Sequence, residues 1–180
     1  MAGVDEAGRG CLAGPVVAAA VILDENRPIH GLRDSKALSE KKRNELFQEI
    51  QEKALACSVG MTGAEEIDRI NILRAALLAM EEAVLMLRKK PDCVLIDGNA
   101  KTSLPIEQRT IVKGDSKCAS IAAASIVAKV TRDRIMTEVE REYPGYGFSR
   151  HKGYPTKEHL SALRNLGPCP IHRKSFKGVL

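Results

Sequence analysis

At 180 residues, 44% hydrophobic, 28% charged and without tryptophan, the chain has the make-up of one globular domain. No apolar run of about 18 residues or more and no secretory leader pattern follow Met1, and the five cysteines are odd in number and lack a CxxC pair. Membrane-spanning and disulfide-stapled classes are thereby excluded, and a soluble, cytoplasmic protein with reduced thiols is expected.

In chain order, Ala2 to Asp5, Val16 to Leu23 and Leu55 to Thr62 read as three strands. The second is almost wholly apolar and so is expected to be buried on both faces. An amphipathic helix follows Ser39, with Leu46, Ile50 and Ala54 at four-residue spacing. A longer helix is predicted from about Ala64 to Arg88, its apolar stripe being Ile70, Leu73, Leu77, Met80, Val84 and Leu87. Val94 to Asp97 reads as a short buried strand ending in an acid, and Thr110 to Asp115 repeats that design. Ser116 to about Arg141 reads as a helix with a small, apolar and buried first half and a charged, exposed second half. Pro144, Gly145, Gly147, Gly153 and Pro155 interrupt the chain before a short helix capped by Thr156 and carrying Leu160, Leu163 and Leu166.

The net charge of +5 is unevenly placed: residues 141–180 hold eight Lys or Arg against two acids, while residues 1–140 are nearly balanced. With Tyr143, Tyr146, Phe148, Tyr154 and Phe176 interleaved, this tail suits a phosphate backbone with sugars or bases to stack on. His172, Arg173 and Lys174 are expected to form a phosphate-contacting patch. Cys169-Pro-Ile-His172 is half a zinc site without a second close-spaced pair, so zinc is not expected. Asp133 reads as an ion-paired surface acid, and Asp34 as a helix cap or a group orienting Lys36.

Acids stand at the ends of three predicted strands: Asp5 with Glu6, then Asp97, then Asp115. Neighbouring carboxylates repel, so such placement favours a bound cation, and the carboxyl ends of parallel strands converge in one crevice. This is the pattern of a metal-dependent nuclease. Alternation sends Asp5 and Glu6 to opposite faces, so both share a site only if the strand ends or bends at Gly8-Arg9-Gly10.

Nine segments in order carry a resemblance: DEAGRG (5–10), GPVVAAAVIL (14–23), DSKALSEKKR (34–43), EEIDRINIL (65–73), LIDGN (95–99), VKGDSK (112–117), IAAASIVAKVTRDR (121–134), YPGYGFSRHKGYPTKEHL (143–160) and HRKSF (172–176). Together they resemble bacterial ribonuclease HII over essentially the whole chain. The resemblance implies an α/β, ribonuclease H-like fold: a five-stranded mixed sheet flanked by helices, with a small C-terminal helical extension. It implies a single catalytic domain over 1–180, with a core to about residue 140 and a basic extension from about 141.

It also implies divalent-metal-dependent endonucleolytic cleavage of RNA paired to DNA, including at single ribonucleotides embedded in duplex DNA, leaving 3′-hydroxyl and 5′-phosphate ends. Asp5, Glu6, Asp97 and Asp115 match the family's metal-binding catalytic acids, with Mn2+ or Mg2+ as cofactor and a two-ion site expected with substrate. Gly8, Arg9 and Gly10 match the turn whose backbone approaches the ribose 2′-hydroxyl, the group that separates RNA from DNA. Tyr154 matches a tyrosine that packs on the sugar after the ribonucleotide, and Ser35 and Lys36 match residues near the substrate strand. Arg9 and the absence of an added amino-terminal domain separate the chain from ribonuclease HIII. Cys11 and Ala37 depart from commoner family residues without supplying chemistry, and the first strand is expected to be short because most relatives begin several residues earlier. The expected partner is nucleic acid, bound by a monomer; no peptide motif for a sliding clamp is evident.

Overall fold

The structure is a computed structural model and describes residues 1–179. Five strands form one mixed sheet in the order β3-β2-β1-β4-β5: β1 (Ala2–Ala7), β2 (Val16–Ile22), β3 (Ala56–Thr62), β4 (Cys93–Asp97) and β5 (Glu107–Ile111). The first three make an antiparallel meander, whereas β4 lies parallel to β1 and β5 parallel to β4. Every residue of β2 is buried, as its unbroken apolar run requires of a strand covered on both faces. β5 is the exposed edge, and its charged Glu107 and Arg109 protect it from pairing with another chain.

One face of the sheet carries α2 (Ala64–Ile70) and α3 (Ile72–Leu85), packed with Val4, Val16, Ala18 and Ile96. The other carries α1 (Glu40–Lys53) and the long α4 (Ala119–Glu142), packed with Ala19 and Val21. Ser39 caps α1 by accepting the Lys42 N–H, and burying Leu46 and Ile50 stabilises the helix by about 2 kcal/mol each. α4 lies very close to β1 because Gly3 has no side chain: a Cβ there would overlap the Ser120 backbone.

The helix predicted over 64–88 is broken at Asn71, whose positive φ of 70° ends α2 while its side chain caps α3 by accepting from Leu73 and Arg74. The break resets the helical phase, so the buried face of α3 is Ala75, Ala76, Ala79, Met80, Ala83 and Val84, and Leu73 is exposed. Alanines let the helix approach Gly60 of β3, where a Cβ would strike the Ala79 carbonyl. β5 begins before Thr110 and ends at Ile111, so Asp115 is not at a strand end; it sits on a 3-10 turn, Gly114–Ser116.

The C-terminal extension contains α5 (Phe148–His151) and α6 (Lys157–Leu166), the latter capped by Thr156 as expected. Its interior is less polar than its composition suggests. Tyr146 and Phe148 stack at 5.2 Å and join Ala13, Met136 and Cys169 in a small core, so these two rings are not free stacking platforms. The second half of α4 is not wholly exposed either, since Arg132 and Met136 are fully buried beneath the extension. All five cysteines are unpaired, and among the described residues no helix is long and apolar enough to cross a membrane.

Candidate active site

β1 places Asp5 on the face that meets α4. Gly3, two residues earlier and on the same side of the pleat, abuts Ser120. β4 brings Asp97 alongside, because Val4 pairs with Ile96 in parallel register. Lys113, in the left-handed region at φ 56°, turns the chain after β5 so that the Gly114 N–H donates to the Asp97 carboxylate at 2.7 Å. Asp115 follows on that turn. Asp5, Asp97 and Asp115 thus come together with carboxylate oxygens within 4.8 Å of one another.

Glu6 leaves β1 on the opposite side. The strand runs on to Ala7 without ending at the acids, and Glu6 accepts from Arg9 at 3.1 Å. It nevertheless lines the same cleft of about 280 Å³ as the other three acids. Gly8, Arg9, Gly10, Ser35, Lys36 and Tyr154 line that cleft too, so all ten residues singled out from the sequence border one space.

Charge in this space is unbalanced. Burial, and then the adjacent charge of Glu6, push the Asp5 carboxyl well above the usual carboxylate range, with Ser125 opposing and Asp97 adding to the effect. Burial also raises Asp115, followed by the charges of Asp34 and Asp97. An all-oxygen donor set whose members repel one another fits a hard divalent cation, which would relieve that repulsion. Asp34 caps the short turn Ser35–Ala37 by accepting the Lys36 N–H at 2.8 Å, the capping role expected of it.

α4 contributes two residues that the sequence reading absorbed into its core helix. Ser125 shares a 2.9 Å hydrogen bond with Ser35, and Lys129 lies 5.5 Å above the Tyr154 ring while pairing with Asp133 at 2.8 Å. Both line the cleft, and their four-residue spacing within an otherwise apolar stretch was the available signal.

The expected patch of His172, Arg173 and Lys174 does not form, because His172 and Arg173 are buried. His172 Nδ1 accepts the Cys169 N–H at 2.9 Å and its Nε2 lies 3.0 Å from His159 Nε2, which leaves neither nitrogen for zinc. With Nδ1 an acceptor, His172 Nε2–H donates to His159, and His159 Nδ1–H donates to the Tyr154 carbonyl at 3.0 Å. His151 is tied similarly, accepting the Gly153 N–H and donating to the Tyr146 carbonyl.

Comparison with known proteins accords with this geometry. The family model described as ribonuclease HII matches residues 2–179. A ribonuclease HII of Vibrio vulnificus (strain YJ016) is 59% identical over 179 residues, which is 99% of this chain and 86% of that protein. Among solved structures, the ribonuclease H2 of Pyrococcus horikoshii OT3 superposes with a TM-score of 0.81 at 28% identity, covering 99% of this chain and 94% of that one. The ribonuclease HII of Archaeoglobus fulgidus, solved in complex with PCNA, gives 0.82 at 29% identity, with 98% and 94% covered. A match of this extent, over a sheet that gathers three aspartates beside a glycine turn, means that the chain belongs to the ribonuclease HII family of ribonuclease H enzymes, endonucleases that cut RNA in RNA/DNA hybrids.

Proposed function

We propose that this enzyme, besides cutting the RNA strand of hybrids, incises duplex DNA on the 5′ side of a single embedded ribonucleotide, leaving 3′-hydroxyl and 5′-phosphate ends. The observation that carries the reading is the single cleft in which the acid cluster, the glycine turn and Tyr154 face one another. Asp5, Glu6, Asp97 and Asp115 would hold two divalent cations, Mn2+ or Mg2+. Bound there, such ions supply an activated water and charge stabilisation for the leaving oxygen.

The protein's own residues position the substrate. Gly8, at φ 96°, and Gly10, with nothing within 4 Å of where a Cβ would stand, let the backbone of the turn approach a ribose 2′-hydroxyl. Tyr154 offers its ring to the next sugar, with Lys129 beside it at the cleft favouring a nearby phosphate. Ser35 and Lys36, on a turn fixed by Asp34, face the same strand. Glu6 draws Arg9 to the rim of the cleft, ready to meet backbone charge.

The working unit in this reading is one catalytic domain acting as a cytoplasmic monomer, with residues from about 141 as an extension of its binding surface. Its partner is nucleic acid. The test is cleavage of an end-labelled DNA duplex carrying one ribonucleotide, beside an all-DNA control, in Mg2+, Mn2+ or excess chelator. Metal-dependent scission 5′ to the ribonucleotide, with the control intact, is expected. Binding without scission in either metal would refute the reading.

A further inference from the structure

Two guanidinium groups, those of Arg132 and Arg173, are completely buried, and neither forms an ion pair with an acid among the described residues. Such groups are costly to bury, so their donors must be well used. Among the described residues they make six hydrogen bonds, all to main-chain carbonyls. Arg173 Nε and Nη2 both donate to Gly14, at 3.0 and 2.9 Å, and Nη1 donates to Arg9 at 3.0 Å. Arg132 donates to Pro15, Ala13 and Lys152, at 3.0, 3.0 and 2.9 Å.

Five of the six bonds therefore fall on one loop, residues 9–15, which continues from the glycine turn of the cleft. The sixth falls just ahead of Gly153 and Tyr154. Gly8 is part of the same packing, since a Cβ there would overlap the Arg132 guanidinium. Burial pushes Arg173 down, but only to about 10, so it stays charged at neutral pH and its bonds remain charge-assisted.

The bond to the Arg9 carbonyl has a directional consequence. The Arg9–Gly10 peptide is planar and trans, so a carbonyl drawn inward to Arg173 turns the Gly10 N–H the opposite way. We propose that Arg173 is a positioning residue for ribose recognition: from the C-terminal extension it orients the Arg9–Gly10 peptide and so aims the Gly10 N–H at the sugar. The inference rests on the reading of the glycine turn as the ribose-facing element. Arg173→Lys keeps the charge but cannot reproduce the planar fork that spans Gly14 and Arg9.

The experiment measures binding of two short DNA duplexes, one carrying a single ribonucleotide and one all-DNA, by full-length protein in an Asp115→Asn background that blocks turnover. The readout is the ratio of the two Kd values, which a loss of general stability would leave unchanged. Arg173→Lys should lower the preference for the ribonucleotide by about tenfold, the size of one well-made hydrogen bond. With Asp115 restored, the same variant should raise KM for the single-ribonucleotide duplex more than it lowers kcat.

Gly10→Ala, which has room to fold, separates the two ideas. If it abolishes the preference while Arg173→Lys leaves it intact, the positioning role is refuted and the glycine-turn reading stands. If neither variant moves the ratio, both are refuted. Should Arg173→Lys fail to fold, the Gly10 amide resonance of the otherwise unaltered Asp115→Asn protein decides. A shift on adding the ribonucleotide duplex but not the all-DNA duplex supports the aim of the Gly10 N–H that the proposal requires, and identical responses overturn both the proposal and the glycine-turn reading on which it rests.

Discussion

The buried histidine relay gives the protein a calculable sensitivity to acid. His172 accepts from the Cys169 N–H, so adding a second ring proton sets two N–H groups against each other. Burial, and then the neighbouring His159, hold His172 down from an ordinary 6.5 to about 4. The sign follows from linkage. The folded ring stays neutral while the unfolded one protonates, so this contribution is complete above pH 6.5, declines as pH falls, and is lost by about pH 4. At about 1.4 kcal/mol for each pH unit crossed, the loss is about 3 kcal/mol.

The assay is urea unfolding of the protein and of His172→Asn at steps from pH 7.5 to pH 4. Carboxylate titrations elsewhere affect both proteins alike and cancel in the difference. The variant should be less stable at neutral pH, because it breaks the relay to Tyr154, but its disadvantage should shrink by about 3 kcal/mol towards pH 4. Parallel stability curves across that interval would refute the reasoning.

Asp5→Asn should abolish cleavage while raising the melting temperature of the metal-free protein, since it removes a buried charge repelled by Glu6 and Asp97; retained turnover would dismiss the metal-site assignment. The same substitution should erase most of the thermal stabilisation conferred by added Mg2+ or Mn2+, measurable by calorimetry. Gly3→Ala should cost about 3 kcal/mol or more in denaturant unfolding, because its methyl group meets the backbone of α4 rather than a movable side chain. An unchanged midpoint would mean that α4 can shift without penalty. Tyr154→Ala should impair cleavage at one embedded ribonucleotide more than cleavage of a long hybrid, and equal losses in parallel kinetics would rule out its role at the RNA-to-DNA step.

The features legible in the sequence are those that follow from local pattern. β2 declares itself as a continuous apolar run, α1 by its spacing and serine cap, Asp97 by ending an apolar strand, and Asp5 by following an apolar run, although its strand continues to Ala7. Asp115 reads in the sequence as the end of a third strand and as a match to the family's acids; the strand-end setting is wrong, because a left-handed lysine after β5, which no local pattern announces, carries it to the others. The break at Asn71 was hidden because the leucine and isoleucine spacing continues through it, and the buried alanine face is visible only once the phase is reset. The tail misled most. His172, Arg173 and Arg132 are polar residue types whose burial depends on carbonyl partners more than a hundred residues away in the chain for both arginines, and no local window contains such partners.

The meeting of residues 12–14 with residues 171–173, where Ala13 and His172 form an isolated bridge, also bears on how the enzyme is made. All four acids are synthesised before residue 116, and the sheet that holds them is complete by Ile111. The glycine turn, however, is braced by a segment translated some sixty residues after that sheet. A growing chain therefore holds all four acids well before it holds the arginine that fixes the loop beside them, so the cleft takes its final shape only when the last residues have been added.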